Sequence, residues 1–180
     1  PVAEFAAGSA HEVDLAVTAA RRAFDHGPWP RMPAGERAAV LRRFAAAVEA
    51  ELPALAALDR EEAGRPIRFA RADVRSAAAH IATAAALIET QCGESWTDVD
   101  RDLVAYSVHE PAGVAGLIIP WNFPAGILCQ KLPYALAVGC TVVVKPSEFT
   151  SSSALEIARM AEEAGVPPGV VNVVTGLGSQ

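Results

Sequence analysis

Cysteine is scarce. The 180 residues contain three, Cys92, Cys129 and Cys140, set in apolar or helical surroundings without metal-ligand spacing, and an odd number of this kind points to reduced thiols. The four histidines, His11, His26, His80 and His109, show no ligand spacing either, so surface or capping positions and no metal are expected. Basic residues are outnumbered, 15 Lys and Arg against 21 Asp and Glu with a formal net charge of -6, and no basic cluster relieves the imbalance. Nucleic acid and anionic membranes are therefore poor partners. No apolar run is long enough to span a bilayer and nothing resembles a signal peptide, which favours a cytoplasmic protein. The dinucleotide fingerprint Gly-x-Gly-x-x-Gly is missing, as are internal repeats and low-complexity segments. An initiating Met is also missing: the chain opens on Pro1 and stops at Gln180, so both ends look cut. An open sheet stopping there would leave an unpaired edge and a bare apolar face.

Apolar content is plentiful, with 52% hydrophobic residues, enough for one domain, with or without an appendage. The organising stretch runs from Val114 to Glu148. Val114 to Ile119 is short enough for a strand and empties into Pro120-Trp121-Asn122-Phe123-Pro124, a loop stiffened by two prolines. A mostly apolar helical segment, Ala125 to Val138, leads to a second strand, Thr141 to Val144, and then to Lys145-Pro146-Ser147-Glu148. A third run, Val170 to Val174, opens into Thr175-Gly176-Leu177-Gly178. Parallel strands would bring these three exits to the carboxyl edge, where open α/β sheets bind ligands.

Helices precede this sheet. Ser9 with Glu12 has capping-box spacing ahead of Val13, Ala16, Val17, Ala20, Ala23 and Phe24. A second helix carries Val40, Leu41, Phe44 and Val48 inward and an arginine-rich face, Arg37 to Arg43, toward solvent. Pro53 begins a third, with Leu55 and Leu58, ending near Gly64. A fourth runs from Arg71 to Thr90. Asp98 to Asp102 reads as a polar turn, and the alternation of Val104, Tyr106 and Val108 reads as one arm of a hairpin or extended ribbon. Thr150 and Ser151 to Ser153 are N-cap candidates for a last helix, through Ala164, with Ala154, Ala158 and Ala161 inward.

Each candidate site residue also has a plain structural reading. Asn122 fits a turn asparagine as well as a hydrogen-bond donor. Lys145 as a solvated strand-end lysine, and Glu148 as a carboxylate complementing the next helix dipole, stand level with cofactor binding on the residues alone. Gly176 reads first as a chain turn. Cys129 and Cys140 lack a neighbouring base and read as core packing.

Taken together, PWNFP, KPSE and VVNVVTGLG resemble the aldehyde dehydrogenase superfamily in its amino-terminal, cofactor-binding part. The resemblance extends over essentially the whole chain, including the Ser9 to Phe24 helix and His109 to Val114. It implies an α/β fold with amino-terminal helices, an inserted β-ribbon acting as an oligomerisation arm, and a Rossmann-like parallel β-α-β-α-β sheet, all part of an incomplete aldehyde dehydrogenase fold. The divisions expected are 1–92, helical; 93–111, ribbon; and 112–180, the NAD-binding portion. The implied reaction is NAD-dependent oxidation of an aldehyde to an acid through a cysteine adduct, with Asn122 as oxyanion donor. Ile118, Ile119, Pro120 and Trp121 would pack along the cofactor, Lys145 and Glu148 would bind the adenosine ribose, and Gly178 would admit the adenine side. A carboxylate at Glu148 suits free ribose hydroxyls and repels a 2'-phosphate, so NAD is expected over NADP. The family's nucleophilic cysteine and general-base glutamate match no position in this chain, so these residues alone are expected to show no turnover. The complete protein is expected to be a homo-oligomer, a dimer or tetramer. Two alternatives remain at this point: a non-catalytic truncated paralogue, and a reductase acting on acyl phosphates or thioesters.

Overall fold

The computed structural model describes residues 3–179. The first helix, α1 (Ala10–His26), starts on a complete capping box. The Ser9 hydroxyl accepts from the His11 N–H at 3.2 Å, and the Glu12 carboxylate accepts from the Ser9 N–H at 2.7 Å. The Ser9 hydroxyl, donating to the Glu12 carboxylate at 2.6 Å, and then the Ser9 N–H hold that carboxyl below its ordinary range. Only Ala20 of this helix is fully buried; Val13 and Val17, expected on its inner side, are 37% and 43% exposed. The helix touches the sheet through small residues, so its larger side chains fall beside the contact instead of within it.

Three helices make the next layer: α2 (Ala34–Ala50), α3 (Leu52–Ala63) and α4 (Ile67–Ile88). Val40, Leu41, Phe44 and Val48 of α2 join Val74, Ala77, Ile81 and Ala85 of α4 in one core, where the alanines permit close approach of the two axes. Gly64 ends α3 with φ 64°, the left-handed conformation glycine takes without a Cβ clash. The helix α4 starts at Ile67, one turn ahead of the expected Arg71, because Pro66 occupies its cap with φ -57°, already close to the helical value.

The arginine-rich face of α2 is not simply solvated. Arg37 is buried and donates to Ala137 O at 2.8 Å and to Met32 O. Arg43 donates to Ala164 O at 3.0 Å, and Arg42 pairs with Glu89 at 2.7 Å. His80 likewise departs from a surface or capping role, with its Nδ1 lying 3.0 Å from the Tyr134 hydroxyl between α4 and the helix that carries Tyr134.

The ribbon consists of β1 (Ser95–Asp100) and β2 (Leu103–Tyr106), antiparallel, with Ser95 opposite Tyr106 and Asp100 opposite Leu103. Asp98 and Asp100 are thus strand residues, and the turn shrinks to Arg101-Asp102. Tyr106 and Val104 are 72% and 63% exposed.

The sheet proper is β3 (Val114–Ile119), β4 (Thr141–Pro146) and β5 (Val171–Val173), parallel, in the order β3-β4-β5. The expected single helix between its first two strands is two: α5 (Pro124–Cys129) and α6 (Leu132–Ala137). Pro133 has no N–H to donate and must sit in a first turn, so the chain bends at Gln130-Lys131. The last helix, α7 (Ser152–Glu163), returns the chain to β5. Beside the exit of β5, the Gly8 N–H donates to Thr175 O at 2.7 Å and the Thr175 hydroxyl donates to Ala6 O at 2.6 Å. The amino-terminal segment thereby meets the chain just past β5, while β5 itself pairs only with β4 among the described residues.

Candidate functional site

Register decides where the three strand exits lie. Ile118 pairs with Lys145, Ile119 with Pro146, and Val144 with Val173. All strands point the same way, so the loops carrying Asn122, Lys145 with Glu148, and Thr175 to Gly178 leave from one end of the sheet. This is the carboxyl end, where backbone N–H groups and helix starts converge.

Along that edge, Ile118 is 75% exposed, Trp121 54%, Phe149 67% and Leu177 51%. Ile119 is buried beneath it, Pro120 and Asn122 are exposed, and Pro124 is buried as the first residue of α5. The Lys131 ammonium reaches back to Ile118 O at 2.9 Å, tying the α5–α6 bend to the end of β3.

The Lys145 side chain is half-buried and its ammonium donates to Pro146 O at 2.6 Å; it is directed at its own loop and not at Glu148. That loop winds around Ser147, whose carbonyl accepts from the Thr150 N–H at 3.1 Å and the Ser151 hydroxyl at 3.0 Å. Glu148 is exposed and borders a shallow cleft of ≈ 210 Å³ with Ser151, Thr175, Gly176 and Leu177, closed on the far side by Phe5 and Ala6. Gly176 turns the chain with φ 133°, and a Cβ there would stand 3.0 Å from the backbone of Gly8. Gly178 differs: it is exposed, and a Cβ there would meet no described atom within 4 Å.

Sequence reasoning missed a group of side chains on α3 and just beyond it. Glu62 caps α7, accepting from the Ser152 N–H at 3.1 Å and the Ser152 hydroxyl at 2.5 Å; the serines expected to cap that helix make no such bond, as Ser151 turns back to Ser147. Arg65, paired with Asp73, lies with its guanidinium carbon 4.0 Å from the centroid of the Phe123 ring. Asp59 is 0% exposed, and neither carboxylate oxygen meets a hydrogen-bond partner among the described residues. Burial pushes its carboxyl up to about 6, opposed by the nearby Ser153 hydroxyl and Ala125 N–H and reinforced by the like charges of Asp73 and Glu62. The one available signal was an acidic residue four positions after Leu55, on the inward face of the helix.

Cys129 is buried and its thiol is pushed up to about 12 by desolvation and by Asp59, which leaves it protonated and unreactive at neutral pH. Cys140 is buried and Cys92 exposed. No group of three or more His, Cys, Asp and Glu among the described residues is placed to hold a metal ion, and no described helix is long and apolar enough to cross a membrane.

The pattern of the aldehyde dehydrogenase family matches residues 1–180. The chain belongs to that family. It is 46% identical over 179 residues, 99% of its length, to aldehyde dehydrogenase family 2 member C4 of Arabidopsis thaliana, of which it covers 36%. It is 42% identical over 181 residues, 100% of its length, to the NADP/NAD-dependent aldehyde dehydrogenase PuuC of Escherichia coli, again covering 36%. Its fold superposes on the crystal structure of an NAD-dependent aldehyde dehydrogenase from Sinorhizobium meliloti with a TM-score of 0.94 at 43% identity, over 96% of this chain and 34% of that one. The chain therefore spans about a third of the length of the aldehyde dehydrogenases it matches, and its helices followed by a parallel sheet are the corresponding third of their fold.

Proposed function

We propose that these residues form the cofactor-gripping portion of an NAD-dependent aldehyde dehydrogenase that oxidises an aldehyde to a carboxylic acid. The observation that carries this reading is the parallel register: it sends the loops of Asn122, Lys145 and Glu148, and Gly178 out of one end of one sheet. The site suits an elongated nucleotide chemically. Ile118, Phe149 and Leu177 offer apolar surface, Glu148 offers a carboxylate to ribose hydroxyls, and Gly178 leaves open space. NAD, when bound, supplies the acceptor for the aldehyde's hydride.

The chain's own residues bind and orient. Ile118, Pro120 and Trp121 form the wall against which the cofactor lies, with Ile119, buried, supporting it from beneath. Lys145 and Glu148 hold the ribose next to adenine, and the Glu148 carboxylate disfavours a 2'-phosphate there, so NAD is preferred over NADP. The Asn122 amide, held between two prolines, donates to the oxygen that gains negative charge as the aldehyde carbon is attacked. The attacking thiolate and the water-activating carboxylate are assigned to the rest of the enzyme; Cys129, buried with its proton held, is unsuited to the first role. The exposed ribbon, with Val104 and Tyr106 outward, is the arm through which subunits associate as a dimer or tetramer.

The test is Asn122→Ala in the full-length enzyme, with aldehyde oxidation followed through NADH formation. A kcat lower by roughly 100- to 1,000-fold with NAD affinity unchanged is expected. An unchanged kcat contradicts the oxyanion role.

A further inference from the structure

The helix α3 sits behind both site loops. It packs against α5 and α7, the helices that follow the Asn122 and Glu148 loops, and it presents two carboxylates three positions apart, on one face. Glu62 caps α7 by direct hydrogen bonds. Asp59, one turn earlier, stands near the Ala125 N–H and the Ser153 hydroxyl, fully buried and short of hydrogen-bond geometry with either. Ala125 is the second residue of α5 and comes three residues after Asn122. The helix α5 has no side-chain cap of its own, because Phe123 occupies the cap position and Pro124 has no N–H to offer. The Ala125 N–H is thus the first free donor after the Asn122 turn, and a carboxylate from another helix faces it.

The residue directly after Asn122 is held as well. The Arg65 guanidinium lies over the Phe123 ring at 4.0 Å and is itself fixed by Asp73 on α4. Asn122, whose side chain is exposed, immediately precedes both grips.

We propose that Asp59, together with Arg65, is a positioning residue that fixes the Trp121 to Pro124 turn and so aims the Asn122 amide, an inference that rests on Asn122 being the oxyanion donor. A charge kept in the interior without full compensation is costly. The groups that face it, Glu62 on its own helix, Asp73 on α4 and the protonated Cys129 on α5, do not offset that cost. What the carboxylate supplies is a fixed negative charge, buried behind the start of α5, and a fixed setting is what an amide donor to a developing charge requires.

The experiment is a double-mutant cycle in the full-length enzyme with Asp59→Ala and Asn122→Ala, reading kcat, the aldehyde KM and NAD affinity. Asp59→Ala alone is expected to lower kcat by roughly 10- to 100-fold with NAD affinity within about two-fold of the parent. In the Asn122→Ala background the same change is expected to alter kcat by less than about two-fold, because the group it positions is already gone. Equal losses in both backgrounds, or no loss in the first, overturn the proposal, since a merely structural carboxylate acts the same way with or without Asn122. If Asp59→Ala fails to fold, Arg65→Met carries the same cycle with the same expectations. Failure of the oxyanion reading shows separately, as an unimpaired Asn122→Ala single variant, and takes the positioning role with it.

Discussion

A carboxyl that titrates near 6 in the folded protein, against an ordinary value of 3.8, binds its proton more tightly folded than unfolded. Asp59 therefore lends its share of stability below about pH 4 and loses it as pH rises through about 6. The difference is worth about 3 kcal/mol above that pH. Asp59→Asn, with no charge to desolvate, is expected to be more stable than the parent at pH 8 by an amount of that order, and the advantage should vanish at pH 4. Urea denaturation at the two pH values measures it, and an advantage independent of pH contradicts the assignment. The residue also marks the limit of sequence reading. The strand-exit positions of Asn122 and Glu148 were legible because each sits in a short motif directly after an apolar run. Asp59 and Arg37 were not, because whether a charged side chain is solvated or buried depends on what packs over it from distant parts of the chain.

Among the elements, α6 shows how short helices are held. Its final carbonyls lack intrahelical donors, and two side chains from earlier in the chain supply them: Trp29 Nε1 donates to Leu136 O at 3.1 Å and Arg37 Nε to Ala137 O at 2.8 Å. Arg37 is desolvated there, which lowers its pKa below the ordinary arginine value without threatening its charge. Arg37→Met keeps the volume and removes the donors, leaving a buried carbonyl unpaired, so a loss of about 2 to 3 kcal/mol in unfolding free energy is expected. A loss under about 0.5 kcal/mol would show Arg37 to be an ordinary surface arginine. Elements were well read where a local signal governed them: the Ser9–Glu12 box and the Gly64 stop are set by neighbours in sequence. The division of the 125–138 segment was missed because the segment reads as one mostly apolar run; Pro133, which must sit in a first helical turn, was the signal for the break. The ribbon turn was overestimated for a related reason. Asp98 and Asp100 look turn-like by composition, yet a strand exposed along its whole length tolerates them.

At the scale of the whole molecule, helices, ribbon and sheet follow in the order the apolar pattern implied, and the parallel register collects residues far apart in sequence at one end. Motif spacing conveyed this because each loop follows its strand directly. The strut behind those loops, α3 with Asp59, Glu62 and Arg65, was invisible, since no local pattern links it to the strand exits. Amide hydrogen exchange of the full-length protein, with and without NAD, tests the arrangement most directly. Added protection concentrated at 118–122, 145–148 and 175–178 is the predicted result. Protection confined to the other end of the sheet, around Gly113, Gly139 and Gly169, with those three loops unchanged, would contradict it.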